Sequence, residues 1–528
     1  MTRRSTYSTC VVAVLALLAV VAGGYFVFER RRPDIGAASP AGRAPSIWPD
    51  YRDTIIPPNI APLNFVLSEP AERHYVRIHS ANGTPVETWG SGPKVVIPLK
   101  PWHELLDANR GRQLQLDISI QGKGGQWVTY EPITNTIARE KIDSHLAYRL
   151  ITPIYNYWRD VGIYQRDLEG FDQSVILHNS SFGGGCVNCH TFCKSNPAEM
   201  AVNVRAGSKR KVTGGMVVVR DGAVANVVDT KTDFNPIPAI YLAWHPNGKL
   251  IAFSSNKITQ FFHSIGENRE VFDHRSDLAL YRLESNTVTS CPQISQPDRM
   301  ETYPTWSPDG RYLYFCGAPQ LPIKRYKEVK YDLMRISYNV ETDAWGELET
   351  VLDSRDTGLS ITHPRISPDG RWLMFCMCTH GTFSIYRPDS DLYLMEMKTG
   401  KYRRLDINSD QCESWHCWSS NGRWVVFSSK RRDGLFARPH FSYVDQAGKV
   451  YKPILLPQAD PAFYDSFIKT YNVPQFITGR IPVTERDLAK ALHSDQMQLK
   501  AKLDPQLKGL VPSPPSDADS QYQPGPGG

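Results

Sequence analysis

The 528-residue sequence has little excess charge of either sign: 60 Lys and Arg against 54 Asp and Glu leave a formal +6. Diluted over that length, the excess does not make a concentrated basic patch, so nucleic acid is not an expected partner. No Gly-x-Ser-x-Gly occurs, which removes the nucleophile elbow of the serine hydrolases, and too little chain follows Leu456 to build an α/β-hydrolase domain. No other hydrolase motif is in sight, and the reading leaves enzyme activity undecided. Hydrophobic residues at 41% and charged residues at 22% exclude a mainly disordered or collagen-like chain. What is abundant points one way. With 39 Pro, 37 Gly, 12 Trp and 25 Tyr, the composition suits many short strands joined by turns.

Residues 10–28 read CVVAVLALLAVVAGGYFVF, carry no charge, and are long enough to span a bilayer as a helix. Arg3 and Arg4 precede this run; Glu29 and three arginines follow it. Residues 1–32 are therefore expected to be a signal anchor or a signal peptide, with Ala22, Gly23 and Gly24 small enough for cleavage. Residues 33–58, rich in Pro, Ala and Gly at their start, are expected to be a linker. Flanking arginines do not settle the orientation, because they are nearly balanced.

Ten cysteines occur, and one group has a spacing with a chemical meaning: Cys186-Val-Asn-Cys189-His190. Cys-x-x-Cys-His resembles the haem-attachment site of c-type cytochromes. The resemblance implies that Cys186 and Cys189 hold one haem c covalently and that His190 is its proximal iron ligand. Met200, ten residues on, is the expected distal ligand, with His178 as the rival. Zinc stays open, since Cys186, Cys189, His190 and Cys193 supply four ligands at plausible spacing. So does a disulfide; a thioredoxin-like pair would need a βαβ context, which is missing here. Haem attachment of this type takes place outside the cytoplasm, which puts the bulk of the chain in the periplasm or its equivalent. At least one of the other seven cysteines beyond Cys10 should then stay unpaired.

Downstream of the motif the sequence repeats. Ala243-WHPNGKLIAFSS, Thr305-WSPDGRYLYFCG, Arg365-ISPDGRWLMFCM and Cys417-WSSNGRWVVFSS align, with the turn glycines at 248, 310, 370 and 422. Pro308 and Pro368 preset φ, and the glycine accepts the positive φ of the hairpin. A second strand pair follows each segment. Four strands per unit is the pattern of a β-propeller blade. These segments resemble the repeats of TolB-type propellers over about residues 240–456. Ile366 in place of Trp, and Ser419-Ser-Asn-Gly without Pro, depart from that pattern. Trp244, Trp306 and Trp418 recur at one repeat position and are expected to pack between blades.

The expected architecture is mainly β: a membrane segment, a small β-sandwich-like domain (59–136), a helical or irregular segment with the haem motif (137–197), a five- or six-bladed TolB-like propeller (198–482), a C-terminal helix (483–503) and a disordered tail (504–528). Residues 138–171 are expected to include a helix leading toward the haem. Many TolB-type propellers serve protein interaction, so the resemblance implies a docking platform for a redox or envelope protein. The expected function is a membrane-tethered extracytoplasmic c-type haem protein, in electron transfer or redox sensing. The alternative is an envelope scaffold with a structural Cys/His zinc site.

Overall fold

A computed structural model of the chain describes residues 32–36, 38–152, 160–205, 214–234, 236–261 and 270–507. The apolar run 10–28 lies outside them, and no helix among the described residues is long and apolar enough to cross a membrane. The chain divides into two compact units, Met1–Arg139 with Pro457–Ser466, and Glu140–Leu456 with Phe467–Gly528.

The first unit holds a seven-stranded and a three-stranded sheet. Its longest strands, Arg73–His79 and Gln113–Gln121, pair antiparallel, with Val76, Ile78, Ile118 and Ile120 buried. Two features differ from expectation. The proposed linker is part of this unit: Ser39–Pro40, Ile47–Trp48 and Ile55–Ile56 join its sheets, and Tyr51 and Ile56 are buried. The unit also contains a helix, Leu99–Ala108, anchored by buried Trp102, Leu105 and Leu106.

The second unit is a β-propeller of six sheets. Numbered along the chain, the innermost strands of blades 2 to 6 are Cys186–Phe192, Tyr241–Trp244, Arg299–Trp306, Ser360–Ile366 and Glu413–Trp418. Blade 1 is composite. Its outer three strands are His145–Ile151, Val161–Asp167 and Gln173–His178, and its innermost strand is Thr470–Ile477, returning from the far end of the sequence. The six innermost strands touch in cyclic order, so the ring is closed. Each blade buries its faces against its neighbours: Trp244 packs between blades 2 and 3, Trp306 between 3 and 4, Trp418 between 5 and 6.

The propeller therefore starts near residue 145 rather than 198. The helix expected in 138–171 is replaced by strands in the described part of that segment; residues 153–159 lie outside it. Pairing on both sides of His145–Ile151 outweighs any local helical preference. The C-terminal helix is shorter than expected. Thr484 and Asp487 form a capping box and the helix runs Glu485–Leu492. Beyond it, Gln498–Lys500 and Lys502–Leu503 add parallel strands to the outer edges of blades 2 and 3. Of the expected tail, residues 508–528 lie outside the described residues.

Candidate functional site

The turn that ends each innermost strand fixes the alignment of the blades. Counting back from Cys193, His245, Ser307, Ser367 and Ser419, with the bulge register placing Val473 and Gln475 for blade 1, each blade contributes one residue to each layer of the innermost strands. One of these layers is Cys189, Tyr241, Tyr303, His363, Trp415 and Val473. Its aromatic members pack against one another in tilted and edge-to-face pairs: ring centroids lie 4.4 Å apart for Tyr241–Tyr303, 3.9 Å for Tyr303–His363 and 4.3 Å for His363–Trp415. Tyr303, His363, Trp415 and Val473 have positive φ between 47° and 54°, at bulges in the innermost strands. Repeated left-handed backbone at bulky residues is strain that the sheet holds in place, as functional sites often do. Cys189 joins this layer from blade 2, where a bulge falls between Val187 and His190.

One layer toward the channel mouth stand His190 and His416; the next holds Thr191, Ala243, Thr305, Arg365, Cys417 and Gln475. These residues line a cavity of about 500 Å³, together with Trp244, Trp306, Trp415 and Trp418.

The haem motif thus lies on an innermost strand, not on a helix. Cys186, Cys189 and His190 are all buried, and both cysteines are free thiols. Burial pushes the Cys189 thiol up to about 11, against the pull of the Arg149 guanidinium, and raises Cys186 as well. Such thiols stay protonated at neutral pH, unlike the depressed thiols of redox-active pairs. Burial, with Arg149 adding to it, pushes His190 down to about 3, so its imidazole is neutral and retains a lone pair.

Around the motif lies a cluster of buried polar atoms without partners. Neither ring nitrogen of His190 has a partner of good hydrogen-bond geometry among the described residues, although the Ala147 backbone is close enough to favour its protonated form. Asn203 sits on the neighbouring strand opposite the bulge, and both its amide oxygen and its amide nitrogen lack partners. Nε of Arg149 and Nε of Arg205 are likewise unpaired, although Nη1 of Arg149 donates to Asn188 Oδ1 at 3.0 Å. Buried polar groups are nearly always satisfied, so each of these unpartnered atoms calls for an explanation. The donor set of two thiols and a neutral imidazole is one that would suit a haem.

The other expected ligands are placed differently. Met200 lies on the adjacent strand, paired with Phe192, while His190 pairs with Val202. Met200 and His190 therefore stand side by side on one sheet face, and Met200 is buried in the apolar layer between blades 1 and 2. The structure does not set it opposite His190. His178, on the outermost strand of blade 1, has both ring nitrogens engaged, with Asp160 at 3.0 Å and Ser180 at 2.7 Å. Cys193 packs between blades 2 and 3 and reaches the His245 carbonyl, away from the layer of Cys189. The four candidate zinc ligands do not converge, and no group of three or more His, Cys, Asp or Glu among the described residues is arranged to hold a metal ion. Cys316 and Cys376 are buried strand residues.

Sequence reasoning missed Arg365 and Gln475 as channel residues. The signal was present for the first: the four aligned repeat segments open with Ala243, Thr305, Arg365 and Cys417, and only one of these is long and charged.

No family model matches the sequence, and no curated protein does either. Solved structures match by shape alone. A chain of a nidogen/laminin complex is 8% identical with a TM-score of 0.35, covering 63% of this chain and 100% of its own. A prolyl oligopeptidase B from Galerina marginata is 9% identical with a TM-score of 0.32; the match spans 65% of this chain and 42% of that one. The Cps50 (Swd1) β-propeller domain from Myceliophteria thermophila is 12% identical with a TM-score of 0.29, covering 62% and 92%.

Proposed function

We propose that this chain is a membrane-tethered extracytoplasmic c-type haem protein of the TolB-like propeller class, serving electron transfer or redox sensing, with the propeller as a docking platform for a protein partner. The observation that carries the reading is the set of buried polar atoms without partners among the described residues on His190, on Asn203 and Arg205 of the next strand and on Arg149 of blade 1, around a Cys-x-x-Cys-His strand whose thiols are free. Bound haem would supply one-electron chemistry at the iron. The chain's part is to hold it. Cys186 and Cys189 would carry the covalent bonds, and His190, kept neutral by burial, would offer a ring nitrogen to the iron.

Arg149 orients the motif strand by donating to Asn188. Tyr241, Tyr303 and Trp415 form one buried cluster with Cys189, which would keep water from its thiol. For docking, Leu435 and Ile468 are 64% and 62% exposed. The segments that carry them are tied together by Arg438, which donates to the carbonyls of Phe467 and Lys469.

The test is expression of the full chain in a strain with c-type maturation machinery. The protein should keep its haem through denaturing electrophoresis and give a pyridine-haemochrome spectrum, and Cys186→Ala should weaken the attachment. Stoichiometric zinc with no haem stain would sink the reading. A phosphatase reporter fused after Gly528 should be active; activity only of a cytoplasmic reporter there would overturn the location.

A further inference from the structure

The walls of the channel are chemically one-sided. Its lining includes no Asp and no Glu, and its charged members are Arg365 and Lys194, both cationic. Lys194 is exposed, whereas Arg365 is half-buried and lines the cavity. Arg365 has no carboxylate partner among the described residues; its one recorded hydrogen bond runs from Nη1 to the Pro364 carbonyl at 3.1 Å. Burial lowers its hold on the proton, and the neighbours that oppose this are the Cys417, Cys189 and Cys316 thiols and the Tyr303 phenol. None of these is a carboxylate. A half-buried guanidinium without a counter-charge keeps N–H donors that an anion in the cavity can engage.

The rings of Trp244, Trp306 and Trp415 contribute to the lining, and all three residues are more than nine-tenths buried. At about 500 Å³ the cavity suits a small organic molecule, and its tryptophans suit a flat apolar one.

We infer that the channel binds the carboxylate of a flat, apolar organic acid, with Arg365 as the recognition residue. A guanidinium matches a carboxylate through two parallel N–H donors, which a lysine cannot reproduce. That carboxylate has two sources, a propionate of the attached haem or a free small acid, and one experiment tells them apart.

Full-length protein is prepared with and without haem maturation and titrated with 2-naphthoate and its neutral isostere 2-naphthamide, read by tryptophan fluorescence. The haem-free protein should bind the acid at least tenfold tighter than the amide, and Arg365→Gln should erase that preference, with Arg365→Lys intermediate. If the haem-loaded protein no longer binds the acid, the haem's own carboxylates fill the site; if it binds equally well, the ligand is a free acid. Equal binding of acid and amide, or no binding of either by folded haem-free protein, overturns the inference.

Should the haem-free protein fail to fold, Arg365→Gln is compared in the loaded protein. The variant should keep its haem stain and either show a lower midpoint potential, because a cation beside the haem carboxylates is lost, or lose the preference for the acid over the amide; if neither changes, the inference is overturned. Should no preparation take up haem, the naphthoate titration alone decides it, so failure of the haem reading and failure of this site are separable.

Discussion

Gly310 and Gly370 occupy the same turn in blades 4 and 5, with φ of +74° and +72°, yet a methyl group would meet different surroundings. At Gly370 nothing lies within 4 Å of an added Cβ, so Gly370→Ala should cost about 1–2 kcal/mol, the ordinary penalty for left-handed backbone. At Gly310 an added Cβ would stand 2.5 Å from Nε2 of His245, the same nitrogen that hydrogen-bonds the Gly310 carbonyl. Gly310→Ala should therefore cost clearly more, and denaturant midpoints of the two variants measure the difference. Asp273 gives a pH signature. Burial pushes its carboxyl up to about 7, although Asn256 and Tyr331 donate to it. The folded protein thus binds a proton that the unfolded chain releases near pH 4, so stability falls as pH rises from about 4 to about 7. A shift of about three units corresponds to about 4 kcal/mol at most. Asp273→Asn should flatten the decline, most visibly as a gain at pH 8; an unchanged pH profile of thermal unfolding would remove Asp273 as its source. The residues of the haem motif were legible because their spacing is chemical, whereas Tyr303, His363 and Trp415 become a layer only once six strands converge.

At the level of elements, the hairpins of blades 3 to 6 could be read directly, since each announces itself with a Pro-Asp-Gly or Asn-Gly turn between apolar runs. Blade 1 could not. Its strands His145–Ile151 and Val161–Asp167 have no such turn between them, and the strand that completes the blade lies more than 300 residues away. Sequence separation hides pairing that local pattern does not encode. The helix Glu485–Leu492 was foreseen from its cap but overextended, because edge pairing with blades 2 and 3 draws the chain that follows into strands. Its buried Leu488, Ala491 and Leu492 pack against the layer between blades 1 and 2, which contains Val187 and Phe192. Thr484 donates the cap and accepts the Asp487 amide. Thr484→Ala should lower stability by about 1 kcal/mol in denaturant unfolding, and Thr484→Ser should restore most of it.

For the whole molecule, stability depends on one seam. Phe476 on the closing strand is fully buried, pairs with Leu146 in blade 1 and packs on Phe441 in blade 6, with ring centroids 5.7 Å apart. Phe476→Ala should cost about 3–5 kcal/mol. Hydrogen exchange should quicken in blades 1 and 6 before the others, and protection lost uniformly round the ring would argue against a seam. The same seam sets an order of events. The motif strand is an early part of the chain, but its neighbour across the gap, Thr470–Ile477, is among the last parts to be made. Until that strand docks, Cys186, Cys189 and His190 lie beside an open ring, reachable by any machinery that must handle their thiols. Once it docks they are enclosed. If these cysteines carry the proposed haem, closure by that strand sets a deadline for loading: the group would be joined before the ring shuts.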